Sequence, residues 1–141
     1  MTPLNDLPID FAMDHIGVAV NSLEEGFQFY QALGFKEIST EIVESEQVKV
    51  GMIELQNNCR IELLESTSDD GPVAKFIAKR GTGIHHICLR VQDVQSCINQ
   101  LKSKGYQLIH ETPKLGAHNC LIAFVHPKST GGVLLELSQP Q

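Results

Sequence analysis

Two histidines and two glutamates recur at matching places in this chain. His15 lies in D-H-I-G-V-A-V, and His86 lies in H-H-I-C-L-R-V, 71 residues later (86 − 15 = 71). Glu62 lies in R-I-E-L-L-E and Glu136 in V-L-L-E-L, so each is an acid inside an apolar run. A buried carboxylate is costly unless a cation or a hydrogen-bond donor meets it. The four side chains therefore predict a divalent-metal site with nitrogen and oxygen ligands.

The types of ligand narrow the identity of the metal to several candidate ions. Mixed nitrogen and oxygen ligation suits one divalent ion of Co, Ni, Zn, Mn or Fe, and the sequence does not choose among them. Four protein ligands on a six-coordinate ion would leave two positions for a substrate. A single strand histidine is more often a hydrogen-bonded core residue than a ligand. The recurrence of both residue types is the observation that favours a metal.

The offset of 71 residues extends well beyond the histidines. It also relates Val20 to Val91, Leu23 to Val94, Phe27 to Ile98, Gly34 to Gly105, Phe35 to Tyr106 and Ile38 to Ile109. The offset is half of a chain of 141 residues, so the chain is two copies of one unit.

Each copy has the pattern of a strand, a helix and three further strands. Ser22 and Asp93 are the expected N-caps of the two helices, and Gly34 and Gly105 end them. The further strands are expected over residues 35–43, 47–55 and 60–65, and then over 106–111, 120–125 and 133–137. Between the copies, Pro72 begins a short linker helix and Gly81 ends it.

One such unit cannot bury both faces of its sheet, so the two units are expected to pair. The expected fold is α+β, with two paired β-α-β-β-β modules forming a curled eight-stranded sheet around a metal-binding concave face, which we call the cup. A single domain is expected over residues 1–141. Module one lies at about 12–66, the linker helix at about 67–82 and module two at about 83–138.

Alternation along the first strand of each copy predicts which side chains face the cup. The residues expected there are His15, Gly17 and Ala19, matched by His86, Cys88 and Arg90. The small residues beside each histidine leave room for a ligand. Asp14 and His85 alternate to the opposite face, where strand-edge hydrogen bonding is the expected role.

Bulk properties exclude several classes of function. The net charge is −6 and the 11 Lys and Arg are scattered, which argues against a nucleic-acid partner. No apolar stretch approaches the roughly 20 residues of a membrane span, so no membrane partner is expected. Residues 1–10 lack the pattern of a signal peptide and are expected to form a short arm. Four cysteines without C-x-x-C spacing suggest reduced thiols in the cytoplasm.

Several motifs, which together cover nearly the whole chain, resemble methylmalonyl-CoA epimerases of the vicinal-oxygen-chelate superfamily. They are D-H-I-G-V-A-V, R-I-E-L-L-E, G-P-V-A-K-F-I-A-K-R-G-T-G-I-H-H-I, P-K-L-G-A-H and F-V-H-P-K-S-T-G-G-V-L-L-E-L. The resemblance implies a homodimer, an acyl-CoA substrate and a metal held by His15, Glu62, His86 and Glu136. Some of these epimerases have Gln where this chain has Glu62.

The resemblance also implies a reaction. A metal-dependent epimerase would invert the α-carbon of methylmalonyl-CoA, or of a similar 2-carboxyacyl-CoA, through a metal-stabilised enolate. Glu136 is the expected acid–base group. Inversion calls for a second group, and several family members have a Glu where Val50 stands here. Glu44 and Glu46 lie nearby in sequence but are expected beyond the cup.

Substrate contacts are expected from several further residues. Arg90 faces the cup by alternation, where it would meet a substrate carboxylate or phosphate, or else form an ion pair at the strand end. The loop with Lys114, Gly116 and Ala117 would offer backbone N–H groups and one charge. Lys128 would bind the phosphates of coenzyme A.

Two other functions stay open on the sequence alone. The first is a glyoxalase I-like lyase or isomerase acting on a thiol hemithioacetal, although glyoxalase I usually has a D-P-D-G-type turn where this chain has H-P-K-S-T-G-G. The second is a small-molecule binding protein of the same fold.

Overall fold

A computed structural model describes residues 11–141 of the chain. The short arm expected over residues 1–10 lies outside the described residues. The strands are β1 (Ala12–Ala19), β2 (Ser39–Val43), β3 (Val48–Glu54), β4 (Arg60–Ser66), β5 (Gly83–Arg90), β6 (Lys114–Leu115), β7 (Cys120–Val125) and β8 (Leu135–Pro140). The helices are α1 (Leu23–Leu33), α2 (Pro72–Arg80) and α3 (Val94–Ser103). None of these helices is long and apolar enough to cross a membrane.

The eight strands form one mixed sheet in the order β2-β3-β4-β1-β5-β8-β7-β6. In each half the first strand pairs in parallel with the last, β1 with β4 and β5 with β8. The two halves join through the antiparallel pair of β1 and β5. This arrangement confirms the α+β fold with an eight-stranded sheet. It also places His15 and His86 on neighbouring strands at the centre of that sheet.

The helices of the two copies begin at equivalent residues (23 + 71 = 94), and α3 ends one residue before the equivalent of the last residue of α1. The Ser22 side chain accepts a hydrogen bond from the Glu25 N–H at 3.1 Å, and Asp93 accepts one from the Ser96 N–H at 3.0 Å. These caps satisfy N–H groups that have no partner within the helix. At the other end of α1, Gly34 has a φ of 113°, a conformation that favours glycine. The two predicted N-caps and the predicted C-cap Gly34 are thus confirmed, whereas the C-cap of α3 is Lys104, one residue before the predicted Gly105.

Three apolar clusters divide the core between the two faces of the sheet. One packs α1 on module one through Val20, Leu23, Phe27, Ile53 and Leu63. A second packs α3 on module two through Val91, Val94, Ile98, Ala123, Val125 and Leu137. The third lies in the cup and joins α2 to module one through Ala19, Val43, Val48, Val50, Met52, Leu64 and Val73. The linker helix therefore covers part of the cup.

Three of the expected strands differ from the structure by two residues or more. No strand forms over 106–111, where Leu108 makes only an isolated bridge to Val125, because the amides of Ile109 and His110 both donate to the Phe124 carbonyl. The strand of that region is β6, further along the chain. The segment from Phe35 to Ile38 was expected in a strand but precedes β2, because the Phe35 N–H donates a hydrogen bond to the Tyr30 carbonyl at the end of α1. The last strand, β8, begins at residue 135 and not at 133.

Candidate functional site

Two β-bulges shape the centre of the sheet. In the pairing of β1 with β5, the register passes from Met13 to His15 and omits Asp14, and later it omits His85. A bulge inserts one extra residue and re-aims its side chain. The expectation that Asp14 and His85 face away from the cup is therefore wrong. Asp14 is buried beside His15, and His85 lines the cavity with its Nδ1 3.0 Å from that of His86.

Three of the four expected ligands converge on one point. The Nε2 atoms of His15 and His86 are 3.0 Å apart, and Glu136 Oε1 lies 3.1 Å from each of them. Metal–ligand bonds of about 2.1 Å place adjacent octahedral ligands about 3.0 Å apart and tetrahedral ligands about 3.4 Å apart. The observed spacing therefore fits three adjacent positions of a six-coordinate ion. All three side chains are buried.

Glu62, the fourth expected ligand, lies beside this cluster. Its Oε2 is 3.2 Å from His15 Nδ1, on the side of the ring away from the three converging atoms. The same oxygen accepts hydrogen bonds from Arg60, at 3.2 Å from Nε and 3.0 Å from Nη2. Glu62 is buried and lines the same cavity as Glu136. In this structure the side chain of Glu62 is paired with Arg60 and does not join the three converging ligand atoms.

A buried ionic network supports His15 from behind. Asp14 Oδ2 lies 2.7 Å from His15 Nδ1 and 2.8 Å from Arg60 Nη2, while Arg90 Nε donates to Asp14 Oδ1 at 2.9 Å. Burial opposes the charge on Asp14, but its bonds to His15 and to the two arginines keep the pKa of this carboxyl below its usual value. A carboxylate on Nδ1 fixes the ring tautomer and turns Nε2 to the cup.

Protonation in the site follows from these contacts. Burial would lower the pKa of His15, but its hydrogen bonds to Asp14 and Glu136 outweigh burial and raise that pKa to about 10. Burial would raise the pKa of Glu136, but its bonds to His15 and His86 hold it well below the usual value. Burial and the neighbouring His86 lower the pKa of His85 to about 4. Glu136 is therefore a carboxylate at neutral pH, and His85 is a neutral imidazole.

A second group of possible ligand atoms shares one member with the first. It consists of Asp14, His15 and Cys88, and all three are buried. Burial, followed by the charge of Glu136, raises the pKa of the Cys88 thiol. Because only the thiolate is a good ligand, this group is the weaker metal site.

A small apolar cavity of about 60 Å³ adjoins the convergent ligands. Val50 lies in its wall and is buried, so this part of the wall is apolar. Glu46, which was expected beyond the cup, also lines this cavity. It lies in a 3-10 turn before β3, and its Oε1 is 2.6 Å from Lys114 Nζ. Strand alternation could not place it, because alternation stops at a turn.

The other expected substrate residues have different surroundings. Gly116 and Ala117 line the cavity, and Lys114 lies beside it in the ion pair with Glu46. Arg90 forms the expected alternative, an ion pair at the strand end, with Asp14. Lys128 lies in the turn Pro127–Ser129, outside the cavity.

The sequence matches known proteins along most of its length. Residues 14–124 match the model of the Glyoxalase/Bleomycin resistance protein/Dioxygenase superfamily. The mitochondrial methylmalonyl-CoA epimerase of Homo sapiens is 36% identical over 129 residues, which cover 90% of this chain and 73% of that protein. The ethylmalonyl-CoA/methylmalonyl-CoA epimerase of Cereibacter sphaeroides is 35% identical over 130 residues, covering 90% of this chain and 96% of its own.

A solved structure extends this similarity to the fold. The methylmalonyl-CoA epimerase of Streptomyces coelicolor, in complex with 2-nitronate-propionyl-CoA, superposes with a TM-score of 0.85 at 35% identity, over 92% of this chain and 94% of that one. Sequence and fold therefore agree over most of the chain. The chain thus belongs to the methylmalonyl-CoA epimerases of the Glyoxalase/Bleomycin resistance protein/Dioxygenase superfamily, and it is an epimerase-like isomerase.

Proposed function

We propose that this enzyme inverts the α-carbon of methylmalonyl-CoA or a similar 2-carboxyacyl-CoA, with one divalent metal ion held by His15, His86 and Glu136. The spacing of their three donor atoms supports the ion, and Glu62 is the fourth ligand we propose. When bound, the ion acts as a Lewis acid for the negative charge that develops on the substrate oxygens. The relatives and the structural neighbour described above support the substrate class.

Inversion needs one group to remove the α-proton and another to deliver a proton to the opposite face. Glu46 and Glu136 both line the cavity, and they come from different modules. This juxtaposition is the observation that carries the proposal, because two carboxylates beside one small cavity supply a proton carrier for each face. Glu136 takes or returns a proton on one face of the carbon, and Glu46 does so on the other.

Lys114 and the apolar cavity wall assist these two groups. Lys114 Nζ lies 2.6 Å from Glu46 Oε1, and this ion pair fixes the position of the carboxyl group. Val50, Leu64 and Ile122 exclude water from the cavity, so that the enolate carbon receives its proton from a side chain. Gly116 and Ala117 form part of the same cavity wall.

Exchange of the α-proton in heavy water, followed by NMR, tests this function. The protein is loaded with Co or Ni and given each epimer of methylmalonyl-CoA separately. We expect the wild type to exchange and invert both epimers. Glu46→Gln should lose inversion but still exchange the α-proton of one epimer, and Glu136→Gln should lose inversion as well.

Glu44→Gln is the matched control, because Glu44 lies in the same turn but is exposed. It should invert the substrate as the wild type does. Absence of exchange by the wild type at any metal loading would contradict the epimerase proposal. Conversion of methylglyoxal with glutathione would then support the glyoxalase I-like alternative, and inertness in both assays would support a binding protein.

We also propose that the enzyme is a cytoplasmic homodimer. All four cysteines are free thiols, as expected in a reducing compartment. The family resemblance supports the dimer. Light scattering should give a mass of twice 15.6 kDa, and a mass of 15.6 kDa would contradict the dimer.

A further inference from the structure

The two outer edges of the curled sheet meet beside the inner cavity. Strand β2 is first in the order of the sheet and β6 is last, so a flat sheet would place them furthest apart. Here Glu41 Oε1, on β2, accepts a hydrogen bond from the His118 N–H at 3.0 Å. His118 lies in the turn Ala117–Asn119, which follows β6. We infer that Glu41 is a positioning residue, which holds this turn against the cavity and so keeps Lys114 beside Glu46.

The ion pair of Lys114 with Glu46 joins the same two edges. Lys114 lies on β6, and Glu46 lies in the turn Glu44–Glu46 directly after β2. The two contacts span 77 and 68 residues of the chain (118 − 41 = 77 and 114 − 46 = 68). Within residues 11–141, β2 and β6 share no ladder of backbone hydrogen bonds. Side chains therefore close the cup where backbone pairing does not.

The turn depends on contacts from outside itself. His118 and Asn119 have φ values of 57° and 56°, in the left-handed region that residues other than glycine seldom adopt. Such a backbone conformation persists only where surrounding contacts hold it. On the side of module two, the Gly116 N–H donates a hydrogen bond to the Cys120 carbonyl at 2.9 Å. Glu41 supplies the contact from module one.

The position of this turn affects the site because the turn is part of the cavity wall. Gly116 and Ala117 line the cavity together with Glu46. A Cβ at residue 116 would come within 2.9 Å of the Ile122 side chain, so the backbone packs closely on this wall. The cavity holds only about 60 Å³, and a small displacement of the turn would open it to water. Glu41 lies outside the lining formed by residues 11–141, so it acts through the turn. The inference rests on the proposed function, in which Glu46 is a proton carrier.

Amide hydrogen exchange followed by NMR tests the contact without turnover. In Glu41→Ala the His118 amide should exchange about tenfold faster, because its hydrogen bond to a carboxylate is lost. Glu41→Gln keeps an acceptor oxygen and should retain most of the protection. Glu44→Ala is the matched control, because it removes the same charge from an exposed position just after β2. Its His118 amide should exchange as in the wild type.

Steady-state kinetics with methylmalonyl-CoA distinguishes positioning from a purely structural role. Glu41→Ala should lower kcat by about tenfold or more, because a displaced proton carrier reaches the α-carbon less often. The change in KM should be much smaller, since Glu41 does not line the cavity. Glu41→Gln should restore most of the lost kcat, and Glu44→Ala should match the wild type. Thermal unfolding confirms that each variant is folded.

Several outcomes would overturn the inference. They are unchanged exchange of the His118 amide in Glu41→Ala, equal losses of kcat in Glu41→Ala and Glu44→Ala, and faster exchange together with a wild-type kcat. A wild type that does not invert methylmalonyl-CoA would contradict the proposed reaction. The exchange rates of the variants would then decide by themselves whether Glu41 holds the turn against the cavity.

Discussion

Asp14 and His85 occupy equivalent positions of the internal repeat (85 − 14 = 71), and each is the extra residue of a β-bulge between β1 and β5. The bulges turn both side chains to the site, but the side chains differ in kind. Asp14 is an anion that holds His15, while His85 is a neutral ring beside His86. Both copies thus contain a bulge at the same place, but the bulged residue gives the neighbouring histidine a different electrostatic environment in each copy. This difference makes a nearly symmetric ligand set asymmetric.

Asp14→Asn should weaken both metal binding and stability. It removes the charge that pairs with Arg60 and Arg90 and the acceptor that orients His15. Loss of a partner behind a ligating histidine lowers metal affinity by about 10–100-fold, and leaving a buried charge unpaired costs about 3 kcal/mol of unfolding free energy. Co²⁺ titration and urea unfolding measure the two effects. Asp93→Asn, the same change at an exposed N-cap, should alter neither; equal losses in both variants would show that Asp14 has no special role.

Arg60 and Glu62 should behave as a coupled pair. Arg60→Met removes the cation that Glu62 and Asp14 share, whereas Glu62→Gln leaves an amide in the cavity wall. We expect Arg60→Met to be the more destabilising single change, and the double variant to recover about 1–3 kcal/mol of unfolding free energy relative to additivity. Urea unfolding of the four proteins gives this coupling energy. A coupling energy of zero would mean that the contact between the two residues does not contribute to stability.

Gly17→Ala should lower the metal affinity of the site, although Gly17 lies in a strand and not in a turn that requires glycine. A Cβ at residue 17 would overlap the imidazole of His86, so the ring has to move away from His15. We expect Co²⁺ affinity to fall by about tenfold or more, because ligand geometry tolerates little displacement. In contrast, Gly34→Ala meets nothing within 4 Å but strains a φ of 113°. That control should lose about 1 kcal/mol of stability and keep its metal affinity; the reverse pattern would contradict the close approach of Gly17 to His86.

The metal-stripped protein should lose stability as the pH rises through the range in which His15 titrates. The pKa of His15 is about 10 in the folded protein and 6.5 without the fold. Protonated His15 therefore stabilises the fold fully below pH 6.5, and this contribution disappears as the pH rises through about 10. Urea unfolding across this range should show a decline that His15→Gln lacks, since other titrating groups contribute equally to both proteins. Parallel curves for the two proteins would contradict the raised pKa.

Bound metal should change this pH dependence in a defined way. A ligating His15 has no proton on Nε2, so metal binding releases a proton at neutral pH. Co²⁺ affinity should therefore rise with pH between 6.5 and 10. Calorimetry in buffers of different ionisation enthalpy counts the released protons. The absence of proton release would mean that His15 is not a ligand.

Much of the fold could be predicted because the repeat acts as an internal alignment. Matching residues such as Ser22 and Asp93 predicted both helix starts, and the offset between His15 and His86 predicted two ligand strands. The alternation rule failed at Asp14 and His85, since a bulge depends on the pairing of two strands and leaves no periodic signal in either. It also could not place Glu46, whose position depends on a turn.

The second copy was harder to predict than the first. The apolar pattern over residues 106–111 resembles a strand, but the carbonyl of Phe124 already receives two of the amides that a regular ladder would distribute. Which of two competing hydrogen-bond patterns forms is decided by tertiary contacts and not by the propensity of the segment. The paired state of Arg90 likewise required knowledge of where Asp14 lies.

The seam between β1 and β5 makes the candidate metal centre a clasp between the two halves of the molecule. His15 contributes from one side of the seam, and His86 and Glu136 from the other, with their donor atoms only 3.0–3.1 Å apart. Any motion that spreads the halves would separate these atoms before it disturbed either helical layer. An ion in the clasp would oppose that motion, so metal loading should slow amide hydrogen exchange along the seam far more than at the outer strands β2 and β6.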